Sequence, residues 1–278
     1  MKQAINVPPF GPAANPRLLM QMAREAEAAG WDGFFVWDHM NWMDWGPEIA
    51  DPWVVLGAVA TVTATIRLGT MVTPMPRRDP TKLARETVTL DHLSGGRLTL
   101  GLGLGAPDPE ESADLGLPLS YKLRARRAEE GYELLRKLWS GRPVTHQGEH
   151  YRLDSRGFLP RPLQEPTIPV WWAAMLPGGP GPLARAARAD GVVPLCQANR
   201  PLEIAELLEV AQKVRALRKD EDFDLVYGCR TGQDPEADRQ TLRAHAAAGV
   251  TWWLEPLDPW AADFATHHAR LRQGPTPL

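Results

Sequence analysis

The chain has 278 residues, 44% of them apolar and 23% charged, with a formal net charge of −3. That is globular composition, with no basic excess to suit nucleic acid or an anionic membrane. Its two cysteines, Cys196 and Cys229, imply no disulfide framework and suit a reducing cytoplasm; no run reaches the ~18 apolar residues of a membrane span, and Met1–Phe10 does not read as a signal peptide.

In chain order one theme repeats: a short apolar run, a polar loop, an amphipathic helix. The apolar runs are Ala4–Val7, Gly33–Trp37, Ile66–Val72, Leu98–Leu102, Ile168–Ala173, Gly191–Leu195, Leu225–Tyr227 and Thr251–Leu254. Helical patterns follow near 16–29, 52–63, 80–93, 122–140, 183–189, 201–218, 235–247 and 259–271. About eight βα units are the count of an α/β fold closed as a (β/α)8 TIM barrel, expected as a single domain over residues 1–278. Asn15-Pro16, Asp51-Pro52, Asp79-Pro80, Asp234-Pro235 and Asp258-Pro259 each place a capping side chain before a proline that needs no helical N–H, so each predicts a helix start. Ser94-Gly95-Gly96 predicts a helix end, because glycine tolerates left-handed backbone.

The C-terminal ends of barrel strands are where ligands and catalytic groups collect. The second run ends in Asp38-His39, an acid beside a side chain that titrates near neutrality; Asp38 either fixes the imidazole tautomer or points into the barrel. The third ends in Thr70-Met71-Val72, the fourth in Gly103-Leu104-Gly105, where side chains are removed at the strand end. The fifth, through Ala173-Ala174, leads to Gly178-Gly179 and a helix expected from about Leu183, an arrangement that suits an anion at the helix N-terminus, with Arg185 in its first turn to add charge. Eleven tryptophans, crowded at Trp37, Trp42, Trp45 and Trp53 and again at Trp171 and Trp172, suit either core packing or walls for a flat ligand.

Two motif matches fail on context. Gly101-x-Gly103-x-x-Ala106 fits a dinucleotide pattern, but the next helical pattern starts too late. His146-Gln-Gly-Glu149-His150 fits an inverted zinc motif that requires a helix, whereas Gly141, Pro143 and Gly148 predict an extended or hairpin segment.

Taken together, Ala23–Gly33, Trp37-Asp38-His39, Ile66–Thr70, Thr89–Gly105, Glu130–Gly141, Pro169-Val170 and Ala187–Gly191 resemble the bacterial luciferase-like monooxygenase superfamily of flavin- and deazaflavin-dependent oxidoreductases. The resemblance implies that His39 sits beside the flavin-type ring and, in deazaflavin members, is a candidate acid/base group; Asp38, from its place next to it, is the second expected catalytic residue. It implies that Thr70, Met71 and Val72 pack under the ring, often with a non-prolyl cis peptide. Gly103, Leu104 and Gly105 are implied beside the cofactor tail, and Ala173, Ala174, Gly178 and Gly179 around its phosphate. Sugar-phosphate dehydrogenases of the superfamily carry a glutamate where this chain has Ala106, which argues against that activity; Asp108, Glu110 and Glu111 lie further along the loop.

The main reading is an enzyme using reduced FMN to monooxygenate a small organic substrate, helped by a separate flavin reductase. The alternative is hydride transfer with coenzyme F420. A non-catalytic flavin-binding protein or partner subunit, and a metal-dependent barrel hydrolase, are the readings from other classes. By resemblance the chain is expected to be a homodimer, while composition and charge predict a cytoplasmic protein that binds neither nucleic acid nor membrane; the apolar stripe Trp53–Ala60 fits a dimer face or plain packing on the barrel.

Overall fold

Four of the five predicted Asx-Pro starts cap helices in the computed structural model, which describes residues 1–41, 48–105, 111, 115–116, 120–218, 222–232, 234–258 and 260–278. Asn15 accepts the Arg17 N–H, Asp51 that of Val54, Asp79 those of Thr81 and Lys82, and Asp234 those of Glu236 and Ala237. They open α1 (Pro16–Ala28), α2 (Pro52–Val62), α3 (Pro80–Ser94) and α7 (Pro235–Ala247). Asp258 does not cap. The last helix, α8 (Phe264–Gln273), starts later, with Asp263 accepting the Thr266 N–H at 2.7 Å. Further α-helices among the described residues are α4 (Tyr121–Trp139), α5 (Pro180–Ala186) and α6 (Ile204–Leu217). Gly95 ends α3 at φ 67°, in the left-handed region, as its glycine predicted.

The strands are β1 (Lys2–Val7), β2 (Gly33–Val36), β3 (Arg67–Pro74), β4 (Leu98–Gly103), β7 (Val170–Leu176), β8 (Gly191–Cys196), β9 (Asp224–Tyr227) and β10 (Trp252–Pro256). All are parallel and close a barrel in the order β1-β10-β9-β8-β7-β4-β3-β2. The TIM barrel read from the repeating units is the fold. Between α4 and β7 an antiparallel hairpin, β5 (Val144–Gln147) with β6 (Arg152–Ser155), holds the inverted zinc motif in extended backbone. Glu130 of α4 fastens it, 2.9 Å from His146 Nε2 and accepting the N–H groups of His150 and Tyr151.

The barrel has two apolar layers. Leu68, Leu98, Leu100 and Leu102 point outward into the core beneath the helices. Ala4, Phe35, Met71, Trp171, Val193, Val226, Trp252 and Leu254 fill the interior, where the rings of Trp171 and Trp252 meet at 5.1 Å. The crowding of Trp171 is therefore packing. So is the stripe on α2: Trp53, Val55, Leu56 and Val59 are buried in this chain, and Val54 alone is strongly exposed at 72%. At the N-terminal ends of the strands lies a cavity of about 430 Å³ lined by Lys2, Arg67, Thr99, Trp171, Asp224 and Trp252, at the end opposite His39. Among the described residues no helix is long and apolar enough to cross a membrane.

Candidate active site

β2 ends at Val36 and the chain then delivers Asp38 and His39 to the barrel mouth. Asp38 is 1% exposed. A buried carboxylate is costly unless matched by donors, and here four side chains match it. The Thr73 hydroxyl donates at 2.8 Å, Trp53 Nε1 at 3.2 Å, Arg77 Nη2 at 2.6 Å and Arg78 Nη2 at 2.8 Å. Arg77 Nη2 also donates to the Asp38 carbonyl at 2.7 Å. The Asp38 carboxylate thus turns from the imidazole toward Trp53 of α2 and the two arginines, so it meets neither expectation: it does not hold the His39 ring, and its partners lie outside the barrel interior.

A partner of the His39 ring is Glu111, whose Oε2 lies 3.1 Å from Nδ1. Glu111 Oε1 accepts the Met40 N–H at 2.8 Å and Arg77 Nη1 at 2.8 Å. Burial alone would raise the Glu111 carboxyl, but the hydrogen bond and charge of His39, the Met40 N–H and the Arg77 guanidinium outweigh it and hold it down at about 2. Around the imidazole stand Phe10 at 6.0 Å and Trp37 at 5.8 Å between ring centroids, and Trp260, 46% exposed, lies 5.7 Å from Trp37.

The non-prolyl cis peptide that the resemblance implies is present at the end of β3. The Met71–Val72 peptide is cis, and the β3–β4 register shifts between Thr70 and Thr73. The glycines of β4 make room for this bulge: a Cβ on Gly101 would stand 2.2 Å from the Thr70 carbonyl oxygen, and one on Gly103 2.7 Å from Val72 Cγ2. Their missing side chains are thus filled by β3 rather than left open for a ligand. Val72, Gly105, Ala173, Gly178 and Gly179 reach the surface of the mouth. Thr70, Leu104 and Ala174 do not: Ala174 packs in the outer core, and the Thr70 hydroxyl lies 2.9 Å from that of Thr73, behind Asp38. Met71 turns into the barrel interior.

The anion loop differs from expectation. α5 starts at Pro180, and Pro180 and Pro182 remove two N–H groups from its first turn. Arg185 sits in the last turn, buried, and donates to Glu129 at 3.0 Å, so its charge is spent on α4. What remains is open space at Gly179, where a Cβ would meet nothing within 4 Å.

A family model described as luciferase-like monooxygenase matches residues 3–275. The chain belongs to the luciferase-like monooxygenase family. That makes it an oxidoreductase by family. Among its relatives is an F420-dependent glucose-6-phosphate dehydrogenase of Beutenbergia cavernae, 35% identical over 231 residues, which cover 80% of this chain and 66% of that one. The chain therefore spans just under two thirds of that relative's length. The crystal structure of the monooxygenase RslO1 from Streptomyces bottropensis superposes with a TM-score of 0.71 at 28% identity, over 89% of this chain and 79% of that one. An F420-dependent secondary alcohol dehydrogenase shares the fold with a TM-score of 0.79 at 18% identity, over 98% and 97% of the two chains.

Within this luciferase-like frame, the site residues missed in the sequence are Arg77 and Arg78, and Glu111 was noted only as an acid further along the loop, with no role given to it. One signal for the arginines was present: an acid buried at a strand end demands a counter-ion, and Arg77-Arg78 follows the neighbouring strand's proline stop. Glu111 carried no local signal. Ala106, Asp108, Glu110, Trp42, Trp45 and Pro259 lie outside the described residues.

Proposed function

We propose that this luciferase-like protein is an F420-dependent hydride-transfer oxidoreductase, the alternative of the sequence reading, in place of the reduced-FMN monooxygenase expected first. The observation that carries this is the likeness to an F420-dependent relative over 80% of the chain. The mouth suits a flat ring system: the Val72 bulge offers a shelf, Gly103 tolerates it, and Ala173, Gly105 and the open Gly179 leave space beside it. When bound, F420 supplies the hydride chemistry. His39 takes or gives the accompanying proton, so that an alcohol losing a hydride and its hydroxyl proton becomes a carbonyl compound. Asp38 serves by fixing Arg77 and Arg78.

The substrate in this reading is uncharged. Arg77 and Arg78 are both committed to Asp38 and Glu111, aromatic rings flank His39, and position 106 lacks the glutamate of the sugar-phosphate enzymes. We also read the chain as a cytoplasmic homodimer; light scattering tests the dimer. The deciding experiment is equilibrium binding of F420 and of FMN, each oxidised and reduced. F420 is expected to bind and FMN not; preference for reduced FMN returns the monooxygenase and its separate reductase. With F420 bound, secondary alcohols are expected to turn over at least tenfold faster than glucose 6-phosphate, about 1.4 kcal/mol of selectivity. His39→Ala is expected to keep F420 affinity and lose about 10²-fold or more in turnover.

A further inference from the structure

Arg77 joins three segments that leave neighbouring strands. It sits just after β3, its Nη2 holds the carboxylate and carbonyl of Asp38 after β2, and its Nη1 holds Glu111 beyond β4. Its side chain is 6% exposed, and those of Asp38 and Glu111 are 0% and 5%. The planar fork reaches the two carboxylates from two separate nitrogens in fixed geometry, whereas an ammonium acts as a point charge.

We propose that Glu111, held in place by Arg77, sets the protonation site of His39: it takes the Nδ1 hydrogen and so leaves Nε2 as the nitrogen that exchanges a proton with substrate. One Glu111 oxygen already receives two donors, the Arg77 guanidinium and the Met40 N–H, and the other faces Nδ1 at 3.1 Å. An oxygen of an ionised carboxylate can only accept, so the nitrogen opposite must carry the hydrogen. The low Glu111 carboxyl, about 2, keeps it ionised across the working range. A neutral imidazole carries one ring hydrogen, and with that hydrogen on Nδ1 the lone pair is on Nε2. Glu111 and Arg77 are therefore positioning residues. They fix which nitrogen is basic without touching the reacting atoms. The inference rests on the proposed function only for the reaction that the proton serves.

The test is made on the full chain labelled with ¹⁵N-histidine, without cofactor, as pH is raised until ring signals stop moving. His39 is identified among the seven histidines as the signal set lost in His39→Gln. In the unsubstituted protein His39 is expected in the Nδ1–H form. In Glu111→Ala it is expected to move to the Nε2–H form that free imidazole prefers, while the hairpin signals of His146 and His150 stay put as the control for folding. His39 found as Nε2–H in the unsubstituted protein overturns the proposal whatever the variants do, and so does an unchanged tautomer in folded Glu111→Ala. Arg77→Lys is the second variant: it keeps the charge, loses the fork, and is expected to give a mixture of both forms. With a turnover assay in hand, it is expected to lower kcat about tenfold with KM and F420 affinity within twofold. Failure of F420 to bind removes the proposed function and leaves the tautomer result standing.

Discussion

Asp38 and Glu111 are buried acids with one guanidinium between them, and that guanidinium makes the burial of both tolerable. The acid stability of the protein reflects this. A carboxyl held near 2 against an ordinary 4.5 contributes stability that is present above about pH 4.5 and is lost as pH falls through about 2. The size is on the order of 3 kcal/mol. Glu111→Gln is therefore expected to be less stable than the unsubstituted protein at pH 7 and close to it near pH 2, so the two urea denaturation midpoints converge on acidification. Parallel midpoints from pH 7 to pH 2 would remove Glu111 from the account. At this scale the sequence showed the histidine and its acid because they follow a strand directly. It did not show the part played by Arg77 or Glu111, whose bonds to that segment span 39 and 72 residues. No periodic pattern reports a pairing at such separations.

Among the elements, β3 and β4 form one device. The bulge over Val72 stands because Gly101 and Gly103 lack side chains. Gly101→Ala sets its methyl against the Thr70 carbonyl oxygen, backbone that cannot swing aside, and is expected to cost about 3 kcal/mol. A fall in the thermal midpoint together with weakened F420 binding checks it; unchanged melting would mean that the strands part freely. The sequence marked Gly103, though not Gly101, as ligand space, for a reason it could not separate from close strand approach. Helix starts read well where an Asx side chain met proline. They read poorly at α6, whose Glu203–Glu206 capping box uses an uncommon cap, and at α5, where Gly-Gly-Pro-Gly-Pro looked like loop but proline is at home in a first helical turn.

The whole barrel was legible because eight apolar runs, each with its helix, leave few other closed arrangements. How it shuts was not. β1 lies beside β10, and the tail crosses the seam: Gln3 Nε2 donates to the Thr276 carbonyl at 2.6 Å and Gln3 Oε1 accepts the Thr276 N–H at 3.1 Å, while Trp31 Nε1 donates to the Leu271 carbonyl. Gln3 is buried, so Gln3→Ala removes two bonds from the seam and is expected to cost about 2 kcal/mol. Hydrogen exchange on β1 and β10 should then rise more than on β3 and β4; equal protection would show that the strap bears nothing.

The arginine clasp has a consequence for inheritance. All the groups it gathers, from Asp38 and His39 through Thr73, Arg77 and Arg78 to Glu111, are encoded in one uninterrupted stretch, whereas Trp260 at the rim comes from far downstream. A single crossover between two such genes, placed after codon 111, exchanges the downstream part of the rim and hands on the proton-handling machinery whole.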